Sequence, residues 1–219
     1  MYPVVSAWSN FETEFTGGVR MKKDDGITNI IICGVGGQGI LLSSDILCSA
    51  AFCAGYDVKK SEIHGMAQRG GSVISHVRFG KKVYSPLIEE GKADFILAFE
   101  KLEALRYAYF LKKNGIFIVN DLQLPPMSVL TGEREYPENI TGILSKIGTV
   151  DVIPAQEIAL NLGNVRIANV VLLGSLARYL NFPLEVWYTA IKENVKQKYL
   201  DLNLHGFEKG RKFCEKVGD

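Results

Sequence analysis

Two glycine-bearing runs hold the residues whose types and spacing suit chemistry. The first is Gly34-Val35-Gly36-Gly37-Gln38-Gly39, in which Gly34, Gly36 and Gly39 satisfy the GxGxxG pattern. Glycines let a backbone approach a phosphate closely, and a helix that starts there offers unpaired amides backed by its dipole. The alternative is a tight strand-to-helix turn that binds nothing, with glycine chosen for close packing. The second run is Gln68-Arg69-Gly70-Gly71. An arginine fork beside two glycine amides makes a cradle for phosphate or carboxylate, or else Arg69 braces its own loop against an internal acid. His64 lies in the same segment. Without an aspartate or cysteine partner at motif spacing it is weak ground for acid–base work, and His76 and His205 are weaker.

The elements around these runs define an α/β chain. Residues 28–33 form an apolar, β-branched run without alternation, which suits a central parallel strand covered on both faces. A helix is expected over 40–54, closed by Gly55 as a left-handed cap. Strand, glycine loop and helix together open a dinucleotide-type βαβ unit. A second strand is expected near 56–60, and residues 61–71 read as a shaped loop without a periodic apolar face. Residues 72–79 alternate and Gly80-Lys81-Lys82 turns the chain into 83–85, which predicts a hairpin there. Further strands are expected at 94–99, 116–119 and 150–153. Helices are expected at 102–112, ended by Gly115, and at 155–162, 168–180, 184–195 and 204–217. The fold class is a Rossmann-like, mostly parallel sheet flanked by helices with a hairpin insertion. Residues 1–26 read as an N-terminal extension, either disordered, a non-native start or an arm that orders on a partner, and 27–219 as one domain.

Composition removes several classes of function. The 25 basic residues nearly cancel the 24 acidic ones, so no global field draws the chain to nucleic acid or to an anionic membrane. A hydrophobic content of 47% supports a packed core, and no apolar run is long enough to cross a bilayer. Cys33, Cys48, Cys53 and Cys214 form no CxxC pair, so no zinc or iron–sulfur site is expected on this chain. The opening residues lack a signal-peptide pattern, and a reduced, cytoplasmic protein is expected. About twenty residues past the glycine loop, where a dinucleotide fold places its ribose-binding carboxylate, stand Lys59 and Lys60. They disfavour NAD. They are either solvated surface or suited to a ligand with an extra phosphate, such as NADP or coenzyme A.

Both runs, in this order and at this separation, are more specific than a glycine loop alone. The stretch Ile31-Ile32-Cys33-Gly34-Val35-Gly36-Gly37-Gln38-Gly39-Ile40 resembles the GxGGQG opening of the gamma subunit, or gamma domain, of pyruvate/2-oxoacid:ferredoxin oxidoreductases. Ser61-Glu62-Ile63-His64-Gly65-Met66-Ala67-Gln68-Arg69-Gly70-Gly71-Ser72-Val73 resembles the form in the beta subunit of indolepyruvate:ferredoxin oxidoreductase. The similarity covers residue 28 to about 195. It implies a subunit, inactive alone, of an enzyme that decarboxylates an aryl pyruvate to an acyl-coenzyme A and passes the electrons to ferredoxin. Thiamine diphosphate and the iron–sulfur clusters are implied in a larger partner subunit, whose active-site cleft this chain completes. Gly34, Gly36, Gly37, Gln38, Gly39, Gln68, Arg69, Gly70 and Gly71 are the expected binding residues, with coenzyme A a ligand they could touch. The competing readings are a free-standing NADP-binding oxidoreductase or nucleotide-sensing module, and an assembly scaffold with an empty glycine loop.

Overall fold

The computed structural model describes residues 26–64 and 70–213. The expected extension up to residue 25, Gln68 and Arg69, and the end of the last helix lie outside the described residues. One six-stranded sheet organises the rest. Its strands are β1 (Thr28–Val35), β2 (Asp57–His64), β3 (Ser72–Gly80), β4 (Ala93–Ala98), β5 (Leu111–Asn120) and β6 (Thr149–Ile153), in the order β2-β3-β1-β4-β5-β6. The pairs β1–β4, β4–β5 and β5–β6 are parallel, and β3 runs antiparallel to both of its neighbours.

Successive side chains of a strand point to opposite faces, so the apolar run of β1 is buried twice over. Ile30 and Ile32 join a core with Leu47, Val171 and Trp187, while Ile31 and Cys33 join a second core with Ile96, Phe117 and Leu144. The first face is covered by α1 (Ile40–Cys53), α6 (Ala168–Ala177), α7 (Leu184–Asn194) and α8 (Leu200–Phe213). The other carries the short helices α2 (Lys101–Arg106) and α4 (Ile140–Leu144). Two more short helices, α3 (Met127–Leu130) and α5 (Ala155–Asn161), sit in the connections on either side of β6.

Several expectations are corrected. Residues 61–64 belong to β2 and not to a loop, because their backbone pairs with residues 73–76 of β3 whatever their side chains are. The hairpin is therefore β2–β3. Residues 83–85 form no strand. Side chains hold that segment instead: Val83 donates its amide to Asp57 (2.9 Å), and Arg78 donates to the carbonyls of Ser85 (2.8 Å) and Leu87 (3.0 Å). The helix expected over 102–112 stops at Arg106, followed by a 3-10 turn at Ala108–Phe110, and Leu111 enters β5 by pairing with Ala93. Gly115 is thus a strand residue. A methyl there would lie 2.7 Å from the Leu111 side chain, which accounts for the glycine. The helix expected over 168–180 ends at Ala177, and the last one starts at Leu200 rather than near 204.

The opening βα unit also departs from a dinucleotide fold. There the strand after the first helix lies beside the first strand and parallel to it. Here that place is taken by β3, and β2 is displaced to the sheet edge.

Helix α6 is buried at every residue from Asn169 to Ala177 and crosses α8 at backbone contact. A methyl on Gly174 would collide with the Phe207 carbonyl oxygen, and one on Gly210 with that of Val171. Ser175 also donates to the Gly210 carbonyl (3.1 Å). Among the described residues no helix is long and apolar enough to cross a membrane. Overpacking a rigid contact costs about 3 kcal/mol where backbone must move. Gly210→Ala is expected to lower stability by about that amount, with its denaturation midpoint falling at unchanged slope in equilibrium unfolding.

Candidate ligand site at the glycine turn

The carboxyl ends of β1 and β4 meet where the chain leaves the sheet in opposite directions, toward α1 on one face and α2 on the other. In open α/β sheets that crevice is where ligands sit. The glycine run fills it. Gly34 ends the tightly packed part of β1, since a methyl on it would lie 2.7 Å from both Gln38 Oε1 and Phe99 Cβ. Gly37 and Gly39 take positive φ, 103° and 87°, a conformation open to glycine at little cost. Gln38 closes the turn on itself. Its Oε1 accepts from the Val35 amide (2.7 Å), and its Nε2 donates to the Phe99 carbonyl (3.2 Å). The same carbonyl accepts from Asn120 Nδ2 (3.2 Å), and Asn120 Oδ1 accepts from the Ala155 amide (3.2 Å). Gln38 thus spends both ends of its amide inside the protein.

The first hydrogen bond of α1 runs from the Ser43 amide to the Gly39 carbonyl (3.0 Å). The amides of Ile40, Leu41 and Leu42 precede it and find no acceptor among the described residues. Their residues, with Gly36, Gly37, Gly39 and Val73, line a cleft of about 460 Å³. Its walls are apolar and its floor is glycine backbone. This donor set fits an oxyanion carried on an apolar body.

The structure joins the two runs that the sequence separates. The Gly36 amide donates to the Gly71 carbonyl (2.8 Å), and the Gly70 amide donates to the Gly36 carbonyl (3.4 Å). Gly70, with φ at 78°, leads into Gly71 and then Ser72 at the start of β3. Of the nine expected binding residues, Gly36, Gly37 and Gly39 line the cleft, Gly70 and Gly71 are hydrogen-bonded to Gly36, Gly34 is buried, Gln38 bonds at both ends within the protein, and Gln68 and Arg69 lie outside the described residues. Lys59 and Lys60 do not join them. Lys59 pairs with Asp57 (3.2 Å) and Lys60 with Asp45 and Glu62, so the room they offer an extra phosphate is taken by carboxylates. Burial works against the Lys60 charge, but the two acids more than offset it and its pKa lies above the ordinary lysine value.

Behind the crevice lies a polar network that sequence reasoning did not single out. Glu100, fully buried, caps α2: its Oε2 accepts from the Glu103 amide (2.9 Å), and its Oε1 accepts from the Leu124 amide (3.1 Å) and the Tyr136 hydroxyl (2.6 Å). Glu103 accepts from Arg106 (3.0 Å) and from the Ser72 hydroxyl, which also meets the Tyr107 hydroxyl at 2.8 Å. Burial, and then contact with Glu100, pushes the Tyr136 phenol far above its ordinary range. Burial, and then the charges of Glu103 and Glu100, raises the Cys33 thiol well above its usual value, so Cys33 is an inert core residue. The spacing Glu100-x-x-Glu103 after a strand is a capping pattern, and it was the available signal. Among the described residues no cluster of three or more His, Cys, Asp or Glu side chains could hold a metal ion.

A mostly parallel sheet with a glycine turn at its switch point defines an open α/β domain. Residues 29–213 match the family described as pyruvate ferredoxin/flavodoxin oxidoreductase, and the chain belongs to that family. It is a subunit of a 2-oxoacid:ferredoxin oxidoreductase. The indolepyruvate oxidoreductase subunit IorB of Thermococcus kodakarensis is 43% identical over 195 residues, covering 86% of this chain and 96% of that one. Its namesake from Archaeoglobus fulgidus is 48% identical over 188 residues, covering 83% and 92%. Two solved structures share the fold. The gamma subunit of a keto/oxoacid ferredoxin oxidoreductase from Geobacter sulfurreducens has a TM-score of 0.64 at 24% identity, covering 88% of this chain and 99% of that one. The 2-oxoglutarate:ferredoxin oxidoreductase from Magnetococcus marinus, solved with 2-oxoglutarate, coenzyme A and succinyl-CoA bound, has a TM-score of 0.69 at 22% identity. This chain is covered to 90%, and spans 32% of that longer one.

Removing the Gln38 amide leaves the Val35 amide without its acceptor in a half-buried turn, a loss of about 2 kcal/mol. Gln38→Ala is therefore expected to lower stability by about 2 kcal/mol, measured by chemical denaturation.

Proposed function

We propose that this chain is the non-thiamine, non-cluster subunit of a cytoplasmic enzyme that oxidatively decarboxylates indolepyruvate, or another aryl pyruvate, to an acyl-coenzyme A. The observation that carries this reading is the 48% identity to a subunit named for indolepyruvate, maintained over nearly that subunit's whole length. In this reading one gamma-type domain begins at about residue 27, and the chain is inactive without a larger subunit that holds thiamine diphosphate and the iron–sulfur clusters. Electrons leave through that partner to ferredoxin.

The residues of this chain do a narrower job, which is to complete the cleft. The amides of Ile40, Leu41 and Leu42 hold an oxyanion of a bound ligand, coenzyme A being the reading's choice. Gln38 and the Gly36–Gly71 pairing keep those donors fixed before the ligand arrives. The Leu41, Leu42 and Val73 side chains keep water from the apolar part of the ligand. A free-standing NADP enzyme is disfavoured by the strand that displaces β2 and by the carboxylates that occupy Lys59 and Lys60.

Reconstitution tests the reading directly. Mixing this chain with the larger subunit should give indolepyruvate- and coenzyme-A-dependent reduction of ferredoxin or a dye, with neither subunit active alone. Activity of one subunit by itself, or a preference for pyruvate over aryl pyruvates, would overturn it. Arg69→Ala should reduce turnover of the assembled enzyme or raise its KM for coenzyme A about tenfold, the scale of one charge-assisted contact, while circular dichroism of the subunit is unchanged.

A further inference from the structure

Residues 81–92 join β3 to β4 without a helix or strand of their own, and they lie against the face of the sheet that carries α2. Val83 and Ile88 are buried, while Tyr84 and Leu87 between them are exposed. Side chains of the sheet fasten this strap at three places. Asp57 accepts the Val83 amide (2.9 Å), Arg78 donates to the carbonyls of Ser85 (2.8 Å) and Leu87 (3.0 Å), and His76 Nδ1 accepts the Ile88 amide (3.2 Å). The Gly91 amide closes the far end on the Tyr109 carbonyl (3.0 Å). Acid acts differently on each fastening. Arg78 keeps its charge throughout, and the backbone pair does not titrate. The Val83 amide, first of all, holds the Asp57 carboxyl below its ordinary range, so that bond persists well into acid. His76 is the one fastening of the three that titrates near neutrality.

An amide can only donate, so the Ile88 bond requires Nδ1 to be bare and the ring proton to sit on Nε2. His76 is 3% exposed, between Ile31 of β1 and Ser61 of β2, and its ring stands edge-on to Phe110, 5.2 Å between centroids. The ionisable groups around it are Cys33, Lys59 and Arg78 on the same face of the sheet, Glu89 and Glu90 in the strap, and Tyr107 and Tyr109 beside Phe110. Burial alone lowers the His76 pKa, and none of these charges offsets it.

We infer that residues 81–92 form an acid-released strap, closed while His76 is neutral and let go when its Nδ1 takes a proton. A protonated Nδ1 sets one donor against another at the Ile88 amide. It also leaves a cation in the apolar core shared by Ile74, Ile88 and Phe110. Release lifts Ile88 out of that core and lets water reach the ring, which then holds its proton at the ordinary value of 6.5. Histidine is the weaker base in the closed strap, so closure is unaffected above pH 6.5 and weakens below it. The ratio of closed to open strap falls by up to about tenfold per pH unit, until the lower pKa of the closed form is reached. Nothing in this device depends on the glycine turn or on a ligand there.

The test is amide hydrogen exchange of the full-length chain, followed by nuclear magnetic resonance from about pH 8 to about pH 5 and corrected for intrinsic rates. Protection of the Ile88 amide should hold down to pH 6.5. Below that it should fall by about tenfold per unit, while the amide of Ile118, buried in β5, keeps its protection. In His76→Asn the side-chain oxygen stands near the place of Nδ1, accepts the same amide and cannot titrate, so the fall should vanish. The ring nitrogens of wild type should show the Nε2–H form at neutral pH and a pKa below 6.5. Ile88 protection that ignores pH, or that falls equally in His76→Asn, overturns the inference. A fall shared in full by Ile118 overturns it too, since the whole domain is then unfolding. If His76→Asn does not fold, the ring titration of wild type decides: a pKa of 6.5 or above overturns the strap, and a lower one supports it.

Discussion

One carbonyl oxygen, that of Phe99, holds the working end of this protein together. It receives an amide from Gln38, which comes from the turn after β1, and another from Asn120, at the end of β5. Three neighbouring parallel strands are thereby tied at the end where their backbone groups would otherwise open to solvent. Gln38 also carries the constraint back into its own turn through the Val35 amide, and Gly36 extends it to the second loop through Gly70 and Gly71. The turn that leads into α1 is thus held by bonds through Val35, Gly36 and Gln38. Such preorganisation is what makes a backbone site effective, since little conformational freedom remains to be lost when an anion binds.

The second consequence of the tie is electrostatic. Directly behind Phe99 the chain buries two carboxyl side chains, Glu100 and Glu103, against three hydroxyls and the amides of α2 and its neighbouring loop. Glu100 fastens both the start and the middle of the long connection after β5, through Leu124 and Tyr136. Glu103 fastens the start of β3, through Ser72. The crevice thus separates a donor-rich lip, formed by the glycine turn, from an acceptor-rich foundation that anchors the loops around it.

Much of this was legible in the sequence, for local reasons. Ile30-Ile31-Ile32 needs cover on both faces, and the glycine run with a helix after it fixes where the chain leaves the sheet. The failures have one physical source, which is that strand pairing is a long-range property. Residues 61–64 show no alternation because they lie at the sheet edge, where Ile63 is half exposed, and only β3 makes them a strand. Leu111 continues an apolar helical pattern, but its pairing with Ala93 decides its state. The site was read as two separate glycine motifs. Their union depends on two backbone bonds between Gly36 and residues 70–71 that side-chain patterns cannot announce.

The placement of β3 bears on how the chain must come together. β1 is the first of the described strands to be synthesised, yet Thr28 waits for Phe79 on one side and Ile30 for Phe95 on the other. Through that stretch of synthesis the most apolar strand of the protein has both edges open, the condition under which extended segments join strands of other molecules. Neither the early helix α1 nor the edge strand β2 can close those edges, because α1 covers a face of β1 and β2 reaches the sheet only through β3. The antiparallel strand that sets this sheet apart closes the first of those edges, and the arrival of β4 on the other ends the interval in which a growing chain is open to misassociation.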